Sequence, residues 1–136
     1  MSQLLEKIKT VEGLYSGRPA SEQEVVEAEN KLLLTFPADY KDYLNEYGVI
    51  SFYGTEWTGL NGDAWTDVVA TTLDARSLYA DFPQGKFILE DLHMDDLLVL
   101  SDSTGKVFLW QNGSEKEIHS SIESYLEECL ARKDTP

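Results

Sequence analysis

The sequence predicts an α+β fold, an antiparallel sheet meander packed with N-terminal helices and a C-terminal helix, in a single domain over residues 1–136. Three observations predict it. Apolar residues recur at helical spacing as far as Gly48. Between Lys86 and Ile118 the period shortens to runs rich in Val, Ile, Leu and Phe. After Ser120-Ser121 the helical spacing returns. Helices, then strands, then a helix is the order of an α+β domain, and no repeat or low-complexity linker divides it.

Each element has a local cause. Leu4, Leu5, Ile8 and Val11 form one helical stripe, which Gly13 ends. Ser21-Glu22-Gln23-Glu24 is a capping box, in which the Ser21 hydroxyl accepts from the Glu24 amide and the Glu24 side chain reaches back. The helix it opens carries Val25, Ala28, Glu29, Leu32 and Leu33 on one side. Pro37 starts the next helix, where its missing N–H is harmless. Tyr40, Tyr43, Leu44 and Tyr47 keep the helical period, and Gly48 supplies a left-handed stop. From Val49 to Thr66 the reading is a strand or extended turn and then a loop, with Asn61-Gly62 a turn. Thr66 or Asp67 caps a helix bearing Val68, Val69, Thr72, Leu73, Arg76 and Tyr79, which Pro83 stops. Strands are expected over 86–90, 96–101, 106–111 and 115–118, with a turn at Asp102-Ser103-Thr104-Gly105 and Asn112-Gly113 leading into the last. Ser120 or Ser121 caps the final helix, with Ile122, Tyr125, Leu126, Cys129 and Leu130 on one face.

Composition narrows the function. The 25 acidic side chains face only 11 basic ones, a net charge of −14. That balance argues against nucleic acid, whose phosphates need a Lys- and Arg-rich face, and against an anionic membrane surface. No apolar run is long enough to span a bilayer, and the charged stretch Met1-Ser2-Gln3-Leu4-Leu5-Glu6-Lys7 is unlike a signal peptide. A single cysteine, Cys129, excludes an intramolecular disulfide and fits a reducing compartment. The expectation is a cytoplasmic protein.

No chemical constellation emerges. Glu90-Asp91-Leu92-His93-Met94-Asp95-Asp96 gathers four carboxylates and a histidine, yet lacks the glycine and distal glutamate of a calcium loop. It reads as a solvated acidic turn between strands. His93 and His119 are placed at opposite ends of the sheet, and Cys129 lies on an apolar helical face. Glu29, at the edge of its helix's apolar face, reads as a carboxylate tying that helix to its neighbour. The expectation is no enzyme, no metal and no cofactor. The aromatic cluster of Phe52, Tyr53, Trp57 and Trp65 carries two readings: core, or loop anchors for a partner, since Trp57 and Trp65 are flanked by Glu56, Asp63 and Asp67. Charge is concentrated in the same region. Between Asp42 and Gly105 twelve acids face only Arg76 and Lys86, which places −10 of the −14 in under half the chain. Such a field speeds capture of a cationic partner.

Ser21-Glu22, Val25, Glu29 and Leu32, then Phe36-Pro37-Ala38-Asp39-Tyr40-Lys41-Asp42-Tyr43-Leu44 and Tyr47-Gly48, resemble the SUKH superfamily of Smi/Knr-type domains. The likeness continues through Phe52–Leu60, Val68-Val69 and Arg76 to the strands around Asp102–Trp110 and the last helix. Members of this family lack a catalytic constellation. Its bacterial members are typically immunity proteins that bind a secreted polymorphic toxin, and many such toxins are nucleases with basic grooves. The resemblance therefore implies a protein that binds and neutralises a cognate basic toxin, with a regulatory scaffold of the Smi/Knr type as the alternative. The expected contact residues are Tyr53, Glu56, Trp57, Asp63 and Trp65 together with Glu90, Asp91, Asp95 and Asp96. A monomer or weak dimer is the expected state.

Overall fold

The structure, a computed structural model, describes residues 3–134. Met1 and Ser2, which open the charged N-terminal stretch, lie outside the described residues, as do the last two residues of the expected domain. Among the described residues there are five α-helices and two antiparallel sheets: α1 (Gln3–Lys9), β1 (Tyr15–Ser16), α2 (Glu22–Leu32), α3 (Ala38–Tyr47), β2 (Ile50–Phe52), β3 (Thr55–Trp57), α4 (Val68–Leu78), β4 (Phe87–Asp91), β5 (Leu98–Ser101), β6 (Val107–Gln111), β7 (Ser114–His119) and α5 (Ile122–Leu130). The α+β class and the four-stranded meander β4-β5-β6-β7 are as the sequence predicts. None of these helices is long and apolar enough to cross a membrane.

The helix ends follow their chemistry. Ser21 Oγ accepts from Glu24 N at 3.1 Å while Glu24 Oε1 accepts from Ser21 N at 2.9 Å, closing the capping box. Asp67 caps α4 through Val69 N, and Ser121 caps α5 through Ser124 N. Two expectations are corrected here. Leu33 does not join the apolar face of α2; it is the left-handed C-cap at φ 56° and is 86% exposed. Gly48 ends α3 at φ 73° and ψ −66°, outside the left-handed helical well. Glycine is still required there, because a Cβ would lie 2.2 Å from the Arg18 carbonyl oxygen.

The segment read as one strand and a loop is a β-hairpin. Phe52 pairs with Thr55 across Tyr53-Gly54, both at positive φ as a two-residue hairpin turn demands. Adding β1 makes a three-stranded sheet, β1-β2-β3. Thr58 joins this sheet to the meander: its N–H donates to Leu89 O at 2.9 Å and its hydroxyl to Ile88 O at 2.7 Å. The Tyr43 hydroxyl donates to Thr58 O at 2.8 Å, so α3 is anchored on the same residue.

Both faces of β4, β5 and β6 are covered, which explains their nearly continuous apolar sequence, while β7 is polar and largely exposed. Phe87, Leu89, Val99 and Val107 face the main core, with α1, α2, α3, α5 and the hairpin. Ile88, Leu98, Leu100, Phe108 and Trp110 face a smaller core closed by Ala75 of α4 and Phe82. In α4 the buried stripe is Val68, Thr72 and Ala75; Leu73, one of the residues by which the sequence marks this helix, is 41% exposed. Glu29 does tie two helices together, accepting from Phe36 N at 2.8 Å and lying 3.6 Å from Lys41 Nζ.

Candidate functional site: an anionic, grooved face

Nine residues were expected at a contact surface, and the structure separates them. Glu56, Asp63, Trp65, Asp95 and Asp96 are exposed, while Tyr53 and Asp91 are half-buried. Trp57 and Glu90 are not surface residues. Trp57 lies inside because β3 alternates, turning Thr55 and Trp57 inward and Glu56 outward. Its ring stacks on Tyr125 and meets Tyr43 edge-on. The indole N–H makes no hydrogen bond of normal geometry, and the Cys129 sulfur is the polarizable group it faces.

Glu90 is buried for a different reason: the register shift between Ile88 and Glu90 breaks the alternation of β4 and turns Glu90 toward Tyr125 and Cys129, on the side that Leu89 also faces. Its carboxylate accepts from the Tyr125 hydroxyl and, at 2.8 Å, from Arg132 Nη1, which also donates to Thr55 Oγ1 at 2.7 Å. Burial raises the Glu90 pKa, outweighing the bonds from Tyr125 and Arg132 that favour its charged form. The group joins β3, β4 and α5; it holds the fold together and is not offered to a partner. Burial also pushes the Cys129 thiol up to about 12.

The exposed acids line three linked grooves. The first, about 380 Å³, runs between α4 and the turn from β4 to β5, with Asp74, Asp91, Asp95 and Asp96 on its walls and Leu78 and Met94 at its rim. The turn is held open by positive φ at His93, Asp95 and Asp96, and by Asp91 Oδ1 accepting from His93 N at 2.8 Å. A second groove, also about 380 Å³, shares Asp91, His93 and Met94 with the first and adds Glu56 and Glu128. The third, about 220 Å³, shares Glu56 with the second and adds Asp63, Tyr15 and Thr66. The loop of Asp63 and the acidic turn thus belong to one continuous face.

Few cations stand at that face: Arg132 lines the second groove, and Lys133 Nζ lies 5.6 Å from the centre of the Tyr53 ring. Arg132 is bonded to Glu90. The two cations of the acidic stretch are also occupied: Arg76 Nη2 donates to Gln84 O at 2.9 Å, and Lys86 pairs with Glu115 while lying over the Phe108 ring. Tyr15, Met94 and Leu78 line these grooves and stand 62%, 57% and 75% exposed; Trp65, 58% exposed, belongs to the 61–66 loop but lines none of the three. Sequence reasoning missed Tyr15, Asp74, Leu78 and Glu128. Leu78 carries no sequence signal of exposure, since it stands three residues after buried Ala75 and so on the same side of α4.

Two other arrangements bear on chemistry. Among the described residues, no three His, Cys, Asp or Glu side chains converge to hold a metal ion. His119 bridges Ser124 Oγ at 2.9 Å and Glu128 Oε1 at 2.8 Å, a line that ties β7 to α5. Its Glu128 end reaches the second groove and its Ser124 end does not.

Fold and face together define a class: a small acidic α+β domain that presents linked anionic grooves fringed with apolar side chains. The chain belongs to the SUKH_5 family, described as SMI1-KNR4 cell-wall, whose model matches residues 1–131. It is also similar to the Bacillus subtilis (strain 168) protein named "Uncharacterized protein YnaB", at 35% identity over 89 residues. That match covers 65% of this chain and spans about half, 54%, of the relative's length.

Proposed function

We propose that this chain is an immunity-type SUKH domain, which neutralises a cognate toxin in the cytoplasm by docking its anionic face on a basic surface of that toxin, and which catalyses nothing itself. One observation carries the reading: carboxylates from α4, the β4–β5 turn, the hairpin and the 61–66 loop line grooves that share walls, while Arg76 and Lys86, the two cations of the acidic stretch, are engaged elsewhere. Carboxylates in such an array steer a cationic protein and accelerate its capture, and exposed Trp65, Met94 and Leu78 are apolar anchors that hold it once docked. Many toxins of this kind are nucleases, whose substrate groove must be basic, so an anionic protein fits the surface that has to be blocked.

The test is co-expression with the product of the neighbouring reading frame, followed by co-purification and measurement of association rates. Reversing Asp95 and Asp96 to Lys is expected to slow association about tenfold at low salt. Trp65→Ala is expected to leave association nearly unchanged and speed dissociation. Equal association rates for wild type and the Asp95→Lys, Asp96→Lys variant remove the acidic turn from the interface. Capture of a partner without any relief of toxicity favours the regulatory scaffold.

A further inference from the structure

The outer face of the three-stranded sheet carries a slot whose shape is more specific than a charged surface requires. Tyr15 pairs with Ser51 and Ser51 with Glu56, so these three side chains stand in one row across β1, β2 and β3. Strand alternation fixes their direction: Ile50, Phe52, Thr55 and Trp57 are buried on the other side. With strands about 4.8 Å apart, the backbones of Tyr15 and Glu56 are roughly 10 Å apart, and only the short Ser51 side chain fills the interval. The 61–66 loop closes the open end. Gly62 lets it do so, since a Cβ there would lie 2.9 Å from Val49 Cγ1 and from Thr66 Oγ1. Asp63 and Thr66 complete the walls around a space of about 220 Å³.

The chemistry of the walls is selective. Glu56 and Asp63 supply two carboxylates, and among the described residues neither forms an ion pair. The nearby Arg18 is turned to Asn61, donating Nη2 to Oδ1 at 3.0 Å, and does not line the slot. Tyr15 gives an exposed aromatic wall, and Ser51 and Thr66 give hydroxyls. A divalent ion is a poor match, since hard cations take six or more oxygens and the space is several times the ~30 Å³ of one water. A planar cation suits it better. A guanidinium bonds carboxylates bidentately with its planar donor fork and stacks flat on an aromatic ring, whereas an ammonium meets carboxylates as a point charge and a ring by cation–π attraction without planar stacking.

We propose that this slot is an arginine pocket, which takes one guanidinium side chain of the basic protein partner between Tyr15 and the carboxylates of Glu56 and Asp63. The inference rests on the reading of a basic partner, but the slot can be tested without one. The probe is N-acetyl-arginine amide, titrated into the full chain and followed by amide chemical shifts, with N-acetyl-citrulline amide as the uncharged isostere. Saturable shifts confined to Ser51, Glu56, Gly62 and Asp63 are expected for arginine, and none for citrulline. Ser51→Leu fills the slot from a solvent-facing position and is expected to abolish them while the remaining spectrum is retained; Glu56→Gln is the gentler variant, expected to weaken them. Absence of shifts, equal shifts with citrulline, or undiminished binding by Ser51→Leu overturns the pocket. A basic partner released equally slowly by wild type and by Ser51→Leu also overturns the pocket and leaves the anionic face standing. Arginine shifts with no basic partner ever captured support the pocket and defeat the broader reading.

Discussion

At the level of single residues, direction of side chains decides role more than residue type does. Trp57 and Trp65 share an acidic, glycine-rich stretch, but only Trp65 faces solvent. A Trp57→Ala variant is therefore expected to lose about 3–5 kcal/mol of stability, read by urea unfolding, rather than to loosen a complex. A loss below about 1 kcal/mol would mean the ring is not packed as described. Cys129, buried and pushed up to about 12, should resist alkylation in the native protein and react only on unfolding. Glu90 makes a pH prediction. Its pKa in the native state lies above the ordinary value of 4.5, so the native chain binds the proton more tightly than the unfolded chain. The stability advantage of wild type over Glu90→Gln is then largest below the unfolded value and shrinks as pH rises through the raised native one. Unfolding free energies of both proteins at about pH 4.5 and about pH 8 check it; an advantage that grows with pH contradicts the buried-carboxylate account.

Among the elements, those with strong local signals were legible in the sequence and those made by tertiary contact were not. The capping box, the Asp67 and Ser121 caps and the turn at Asp102–Gly105 need only neighbours within a few residues. The β2–β3 hairpin was obscured because its strands are three residues long and its turn uses Tyr53, where an Asn or Asp would have announced it. β1 is two residues long and exists only through pairing with β2. Backbone packing of the hairpin on α3 shows in Gly59, where a Cβ would sit 1.7 Å from the Gly48 carbonyl oxygen. Gly59→Ala is expected to cost at least about 1–3 kcal/mol, as overpacking does, measured by the thermal midpoint or urea unfolding. The β4–β5 turn gives the opposite sign. Asp96 holds φ at 57°, which glycine adopts without strain, so Asp96→Gly is expected to be neutral or stabilising by up to about 1 kcal/mol. A clear destabilisation would show that the Asp96 side chain supports the turn.

For the whole molecule, charge sets stability and recognition against each other. The sequence showed how many acids there are and roughly where they fall; of those it placed at a contact surface, Glu56, Asp63, Asp95 and Asp96 are exposed, Asp91 is half-buried and Glu90 is buried. It could not show that three grooves share walls, because Asp74 and Leu78 of α4 reach the turn near Asp95 only through the packing of α4 on the meander. Nor could it show that Arg76, Lys86 and Arg132 are already bonded within the fold. The net charge of −14 already counts these cations, and the field of the unpaired carboxylates acts on solvent and on the chain itself. Like charges on one face repel, and that repulsion lowers native stability while the same field draws in a cationic partner. Salt screens both, with a Debye length of about 10 Å at 0.1 M and about 3 Å at 1 M. Raising sodium chloride from about 0.02 M to about 0.3 M should therefore raise the thermal midpoint of the free protein and slow its association with a basic partner. The Asp95→Lys, Asp96→Lys variant, with less repulsion to relieve, should show a smaller salt effect on both quantities. A thermal midpoint that falls with salt, or an association rate that ignores it, would mean the carboxylates do not act as a collective field.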